Sequence, residues 1–412
     1  MDKSVLVITP WKRRWELGNS AGVSDDHYFV KGLAERGYVV HFLCPRDTTS
    51  DEIEARYAVH RFPNVLEASE HVPSIIRRPL WVFLYTFCVV FYGTRVCRRI
   101  RPSIVIGHTQ LGSFGVRLLA KRLRIPSIMK LFGVVDLDRT DWSPLRYWRK
   151  NVEQILAFKV HHDAWIILDD GTGGDTAARR HGVPSNRIHL LPNGVNTEWA
   201  AGPSGAANRY GIPPGTRVVL YLSRITAWKR PDLFIRLAPR VLQLTDHPIV
   251  FVLAGDGPFR RSCEALVASL SLESQVRFLG PVPHDEIPQL MSITSVLAST
   301  NRRSNRGVPP CEAMICGVPV VAFDAGDTGS VVREGVNGRL IRDGDETAFA
   351  RAVADLLNDE KAREEMGRRA REFALKNFTG WPARVAMEAD LIERVIAQHA
   401  SRGIARNHTG TL

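Results

Sequence analysis

Residues 299–324, STNRRSNRGVPPCEAMICGVPVVAFD, constrain this chain more than any other stretch. The run from Pro319 to Phe323 is continuously apolar, with Gly317 and Val318 before it and Asp324 after it. That is the pattern of a strand buried on both faces. The preceding CEAMIC reads as a short helix, opened by Pro309 and Pro310 and closed by Gly317. Proline suits a first turn because its missing N–H would have no partner there. Strand, glycine-bearing loop, helix and second buried strand, in this order, belong to a parallel α/β fold. The amides of Gly307 and Val308 then sit at a helix N-terminus, where an anion is stabilised. Glu312 follows within the same turn or two. A carboxylate beside a phosphate site grips sugar hydroxyls, as the acidic residue does for ribose in dinucleotide folds.

The same alternation runs along the whole chain. Strands are predicted at 4–9, 38–45, 57–63, 103–108, 126–133 and 164–170, with a strand and its turn over 187–196, then at 217–224, over 249–259 and 276–283 with their turns, and at 295–299, with helical spacing between most of them. At 412 residues there is room for two domains, each with its own core. Residues 200–215 are small, polar and rich in glycine and proline, as an interdomain linker is. We therefore expect an α/β fold of two Rossmann-like domains facing a cleft. The boundaries are 1–198, 199–380, and a closing segment 381–412 whose helix ends near residue 398 and whose tail is disordered. Asn193-Gly194 in PNGVN reads as a turn with glycine at positive φ.

Two further positions carry chemistry. Arg224 and Lys229 lie five apart on the loop between a strand's carboxyl edge and the next helix. Arginine can hold a phosphate through two parallel hydrogen bonds, and lysine adds a point charge. In the first half, the loop after the opening strand contains Gly18 and Gly22. His108 ends a predicted parallel strand, the edge at which open α/β sheets bind ligands.

Much of the chain resembles the family 4 retaining glycosyltransferases, a GT-B group that includes bacterial sucrose and glycogen synthases. The resemblance rests on Gly307-Val308-Pro309-Pro310-Cys311-Glu312-Ala313-Met314 and Gly317-Val318-Pro319-Val320-Val321-Ala322. It is supported by Arg224 with Lys229, by Gly-Asp-Gly-Pro at 255–258 and by Pro192-Asn193-Gly194-Val195-Asn196. Two positions depart from the family pattern. The first glutamate of its E-x7-E signature is Ser304 here, and a histidine often found before Gly133 is Phe132. The resemblance implies a nucleoside diphosphate sugar donor held in the second domain. Arg224 and Lys229 would stabilise the leaving diphosphate, with Glu312 on the ribose and Gly22, Gly307, Val308 and Ser304 around the phosphates and sugar. Leu279 and Val282 would line the base pocket, and His108 the acceptor side.

The activity so implied is metal-independent transfer of a hexose-type sugar, with retention, to a glycan or lipid-linked acceptor. Its setting would be bacterial-type polysaccharide, lipopolysaccharide or glycolipid synthesis. No cofactor and no metal are implied. Asp136-Leu137-Asp138 matches the DxD of metal-dependent transferases, but we read it as a surface loop. The alternative reading is a non-catalytic nucleotide-sugar-binding scaffold subunit of a polysaccharide assembly complex. An epimerase on the same fold ranks lower, because carboxylate and imidazole are missing at the sugar end.

Charge narrows the partners. Between Arg77 and Lys150 there are fifteen Lys and Arg against three Asp, which accounts for the whole net charge of +12. A basic region this confined points to an anionic partner. It lacks the repeated interleaving of aromatic and basic residues that suits single-stranded nucleic acid, so peripheral contact with an anionic membrane is the expectation. Within it, residues 80–92 are apolar all round. We favour a buried helix there over one lying in a membrane interface, and we read no run as long enough to span a bilayer. Six cysteines show no ligand spacing and read as reduced core thiols. With a strand beginning at once, no secretory leader is expected. The localisation this implies is cytoplasmic, peripheral at the inner face of the plasma membrane.

Overall fold

The computed structural model describes residues 3–11, 24–46, 53–54, 57–64, 74–134, 137, 142–199, 209–301 and 307–409. The chain forms two compact units. The first runs to Pro192 and takes in Pro382–Leu412; the second is Asn193–Trp381.

The first unit holds β1 (Lys3–Ile8), β2 (Tyr38–Pro45), β3 (Ile53–Glu54), β4 (Tyr57–Phe62), β5 (Ile104–His108), β6 (Ser127–Leu131), β7 (Ala164–Asp169) and β8 (Ile188–Pro192). They make one sheet in the order β3-β4-β2-β1-β5-β6-β7-β8. All pairs are parallel except β3 with β4. Its strands are apolar runs because helices cover both faces. Helices Ser24–Glu35 and Trp381–Thr409 pack on one face through Phe29, Leu33 and Ile392. Helices Ser74–Ile100, Ser113–Leu123, Pro144–Lys159 and Gly174–Arg180 pack on the other through Tyr85, Leu119, Phe158 and Ala178.

A buried ionic cluster joins β6 to the two helices of the first face. Lys130 is fully buried and donates to Asp25 and, at 2.9 Å, to Glu388 Oε2. Arg384, also fully buried, pairs with Glu388 at 2.8 Å and lies 3.7 Å from Asp25. Among the described residues, two cations and two anions thus meet where water is excluded.

The second unit opens with β9 (Gly194–Val195), which pairs with β16 (Thr379–Gly380). Its main sheet contains β10 (Arg217–Leu222), β11 (Ile249–Ala254), β12 (Val276–Gly280), β13 (Val296–Ser299), β14 (Val320–Asp324) and β15 (Gly338–Arg342), in the order β12-β11-β10-β13-β14-β15. Every pair in it is parallel. Successive residues of β10 alternate between two cores: Val219 and Tyr221 face one, Val218 and Leu220 the other. That is the two-residue period of a strand covered on both sides.

Several expectations need correction. Gly194 is not at positive φ. A Cβ there would come within 2.3 Å of the Trp381 ring, so glycine is needed for close approach instead. The closing helix does not stop near residue 398 but continues to Thr409. Alanine and arginine in the tail favour helix, and His399 and Arg402 fasten it, His399 to the Arg124 carbonyl at 3.1 Å and Arg402 to Asp163 at 3.9 Å. Residues 209–215, the described part of the predicted linker, are docked: Ile212 is buried, and Arg277 on β12 donates to the Tyr210 carbonyl at 3.0 Å.

The largest correction concerns residues 80–92. They belong to one long helix, Ser74–Ile100, and only one side of it is buried. Its Pro79–Ile100 portion is long and apolar enough to cross a membrane by length and composition. The sequence run looked too short because arginines at 95, 98 and 99 interrupt it, whereas the helix carries the apolar face past them. All six cysteines are free and buried, as expected of core thiols.

Candidate functional site

In the second unit the chain leaves β10 for β11 and β12 on one side, then crosses back to β13 on the other. The connections after β10 and after β13 therefore diverge, which opens a crevice at the carboxyl ends of these two strands. A small open pocket lies there, lined by Ser223 and Lys229 after β10, Ser299 and Asn301 at the end of β13, and Pro309.

The loop that carries Arg224 and Lys229 is held from two sides. Ser223 and Ile225 donate their amides to the carbonyls of Ala254 and Asp256 at 3.1 and 2.9 Å. This seats them on the Gly-Asp-Gly-Pro turn. A Cβ at Gly255 would lie 2.1 Å from the Ser223 carbonyl oxygen, and one at Gly257 would lie 2.3 Å from that of Ile225. Only glycine lets the two backbones run so close. Ala227–Lys229 form a single 3-10 turn, and Arg230 adopts a left-handed conformation (φ 53°) that turns the chain into helix Pro231–Leu242. From β13 side, the Thr300 hydroxyl donates to the Arg230 carbonyl at 2.8 Å.

Arg224 is exposed and Lys229 half-buried. Both stand over the Trp228 ring, Lys229 Nζ at 4.3 Å and the Arg224 guanidinium at 6.0 Å from its centroid. Burial, and secondarily the Arg224 charge, pushes the Lys229 ammonium down to about 8. A half-buried cation beside an exposed one forms a site that gains by binding an anion.

Helix Val308–Ile315 begins beyond this pocket, with Gly307 as its N-cap in an extended conformation and no side-chain cap. Pro309 and Pro310 have no N–H, so Val308 supplies the first free helical amide. Gly317 (φ 76°) ends the turn that follows, with Val318 donating to the Ala313 carbonyl at 2.8 Å. Glu312 is buried. Among the described residues its carboxylate has one hydrogen-bond partner, His284 Nε2, 3.0 Å from Oε1. The Trp199 ring packs on His284 at 4.9 Å between centroids. Leu279 on β12 and Val282 in the turn after it are half-buried against the same core as Cys311 and Ala313. The 279–284 segment therefore adjoins Glu312.

Thus the fold brings Lys229 to the pocket that Pro309 of the Glu312 helix lines, with Arg224 beside Lys229. Sequence reasoning did not single out His284, Trp199 or Thr300. Their partners are far off in sequence, and only a histidine in the turn after a strand could have drawn attention to His284.

In the first unit the corresponding crossing falls between β1 and β5. His108 ends β5 fully buried, edge-on to Phe132 at 5.2 Å. Trp11, just past β1, completes the group at 5.2 Å from Phe132 and 6.1 Å from His108. Trp11 was not anticipated. Gly22, Ser304, Asp136 and Asp138 lie outside the described residues. Leu137, between the two aspartates, is buried, and its carbonyl accepts from the Tyr147 hydroxyl at 3.2 Å. Among the described residues no group of three or more His, Cys, Asp or Glu is arranged to hold a metal ion.

Two nucleotide-type α/β units, with a cation pair at the strand switch point of the second, define a GT-B protein. Residues 206–373 match the family Glycosyl transferases group 1, and residues 27–199 match Glycosyltransferase Family 4. The chain belongs to these group 1, family 4 glycosyltransferases. Among curated proteins it is 30% identical over 268 residues to a D-inositol 3-phosphate glycosyltransferase of Salinispora tropica, covering 61% of this chain and 54% of that one. It is 32% identical over 221 residues to a GDP-mannose-dependent alpha-(1-6)-phosphatidylinositol monomannoside mannosyltransferase of Mycolicibacterium smegmatis, covering 51% and 57%. The chain thus spans about half the length of these curated relatives. A solved structure with the same fold is sucrose-phosphate synthase from Thermosynechococcus elongatus, with TM-score 0.75, 18% identity, and 96% and 100% of the two chains covered. Another is Anabaena HepE in complex with UDP and glucose, with TM-score 0.70, 18% identity, and coverage of 95% and 100%.

Proposed function

We propose that this protein is a retaining glycosyltransferase that moves a hexose-type sugar from a nucleoside diphosphate sugar to a glycan or lipid-linked acceptor. The observation that carries this reading is the Arg224 and Lys229 pair over Trp228 at the β10–β13 crevice. Departure of a nucleoside diphosphate from an anomeric carbon builds negative charge on the leaving phosphate. Cations fixed at that oxygen stabilise the transition state more than the ground state. Glu312, oriented by His284, would accept hydrogen bonds from the ribose hydroxyls, and the Val308 amide would add a donor to the phosphates. HepE, solved with UDP and glucose, and the GDP-mannose-dependent relative support a nucleotide-sugar donor.

Thermal unfolding in the presence of UDP, GDP, ADP and their common sugar conjugates tests this directly. A ligand at a hundred times its dissociation constant stabilises the fold by about 2.7 kcal/mol. One base should raise the midpoint in the wild type and fail to do so in Glu312→Ala. If no nucleotide or nucleotide sugar shifts the midpoint, the reading falls. His284→Ala should weaken binding of the same nucleotide by about three- to tenfold, the worth of one orienting hydrogen bond; titration calorimetry gives the ratio. With Arg224 and Lys229 supplying the positive charge, sugar transfer should continue in EDTA at the rate seen without it. Loss of turnover on chelation, restored by a divalent cation, would contradict that assignment.

A further inference from the structure

Helix Ser74–Ile100 has two unlike sides. The inner side carries Tyr85, Cys88, Val89 and Cys97 into the core of the first unit. Glycines let helix Ser113–Leu123 press against it: a Cβ on Gly93 would meet Leu119 Cδ2 at 2.7 Å, and one on Gly115 would meet Val89 Cγ1 at 2.8 Å. The outer side shows Phe83, Phe87 and Phe91, which are 68%, 57% and 41% exposed. Spaced four apart, they form one stripe along the helix. The Phe87 and Phe91 rings stack at 5.7 Å, and the Arg95 guanidinium lies over Phe91 at 3.6 Å. Exposed Arg95 and Arg98 continue the stripe, and Leu118 with Lys121 and Arg122 stands exposed on the neighbouring helix. These two helices together hold eight Lys and Arg and no Asp or Glu.

We propose that this face docks on an anionic lipid bilayer, with the 74–100 helix lying in the plane of the membrane. The phenylalanines enter the boundary between headgroups and acyl chains, and the arginines pair with lipid phosphates. Aromatic residues flanked by cations, on a helix without acids, match that boundary in both polarity and charge. A second copy of the chain is a poor occupant, because a self-complementary contact would set two purely cationic faces against each other. Spanning the bilayer would strip Tyr85, Cys88, Val89 and Cys97 from the core they fill. The proposal does not depend on the donor site.

Co-sedimentation of the 412-residue protein with vesicles tests it. The vesicles are phosphatidylcholine alone, or phosphatidylcholine with about one-third phosphatidylglycerol. The wild type should bind the anionic vesicles, and binding should weaken as salt rises. Phe83→Ser/Phe87→Ser/Phe91→Ser should bind them about tenfold more weakly or worse, and Arg95→Glu/Arg98→Glu should lose most of the salt dependence. These side chains are exposed, so both variants should keep the wild-type circular dichroism spectrum. Equal binding by the wild type and the phenylalanine variant would overturn the proposal. So would failure of the wild type to bind. A wild-type dimer made monomeric by the serine substitutions, without vesicle binding, would assign the face to a second copy and would also overturn it.

Discussion

Lys229→Ala should lower turnover by about 10²–10³-fold, the loss typical when one fixed donor to a developing anion is removed. Lys229 lines the pocket, half-buried, and its partner Arg224 is exposed. A cation partly withdrawn from water acts on a neighbouring charge more strongly than an exposed one does. Burial of the charged ammonium costs the folded state free energy below about 8, so the variant should unfold at no lower a temperature than the wild type. Steady-state kinetics beside a thermal melt would separate the two effects. Turnover within about threefold of wild type, in a folded protein, would take Lys229 out of the mechanism.

The same residue sets a pH limit. Burial disfavours the charged form of a lysine, and Lys229 lies at about 8 rather than the ordinary 10.5. Below about 8 the ammonium is charged and can meet the diphosphate; as pH rises through that value the charge is lost. So kcat/KM, which reports the free enzyme, should fall on the alkaline side of about 8. A bound diphosphate favours the charged form, so kcat should hold to higher pH than kcat/KM. Lys229→Arg keeps its charge throughout and should lose the alkaline limb, even where its absolute rate is lower. For stability the sign is opposite. The unfolded chain still binds this proton between about 8 and 10.5, so this residue favours folding increasingly across that window.

Lys130→Met should destabilise the first unit by about 3–5 kcal/mol, the range for removing one partner of a buried ion pair. The substitution leaves Asp25 and Glu388 buried with Arg384 as their cation, and Arg384 reaches Asp25 only at 3.7 Å. The cluster joins β6, helix Ser24–Glu35 and helix Trp381–Thr409, so its loss should loosen all three together. Urea unfolding measures it. Adding Asp25→Asn should recover part of the loss, because one buried charge is then removed. A loss below about 1 kcal/mol in Lys130→Met would mean that the charges are not held as a buried unit.

Much of this was legible from local pattern. Apolar runs between glycine-bearing loops placed the main parallel strands, since a strand covered on both faces cannot alternate polar and apolar residues. Arg224 and Lys229 were legible because a loop leaving a parallel strand offers few places for a fixed cation pair. Gly194 was misread because a glycine needed for close approach looks the same, in sequence, as one needed for positive φ. The 80–92 segment was misread because hydropathy counts residues and does not say which side of a helix a neighbour will cover.

By itself, the sequence determined the α/β class and the approximate order of its elements, and it made the cation pair and Glu312 candidates. These follow from periodicity and side-chain chemistry within about ten to twenty residues. The tertiary structure alone decided that His284 orients Glu312, that Thr300 secures the Lys229 loop, that Lys130 closes a four-residue ionic cluster and that Phe83, Phe87 and Phe91 face outward. Each depends on elements that the chain joins only after crossing a sheet, where burial and hydrogen bonding are set by neighbours in space.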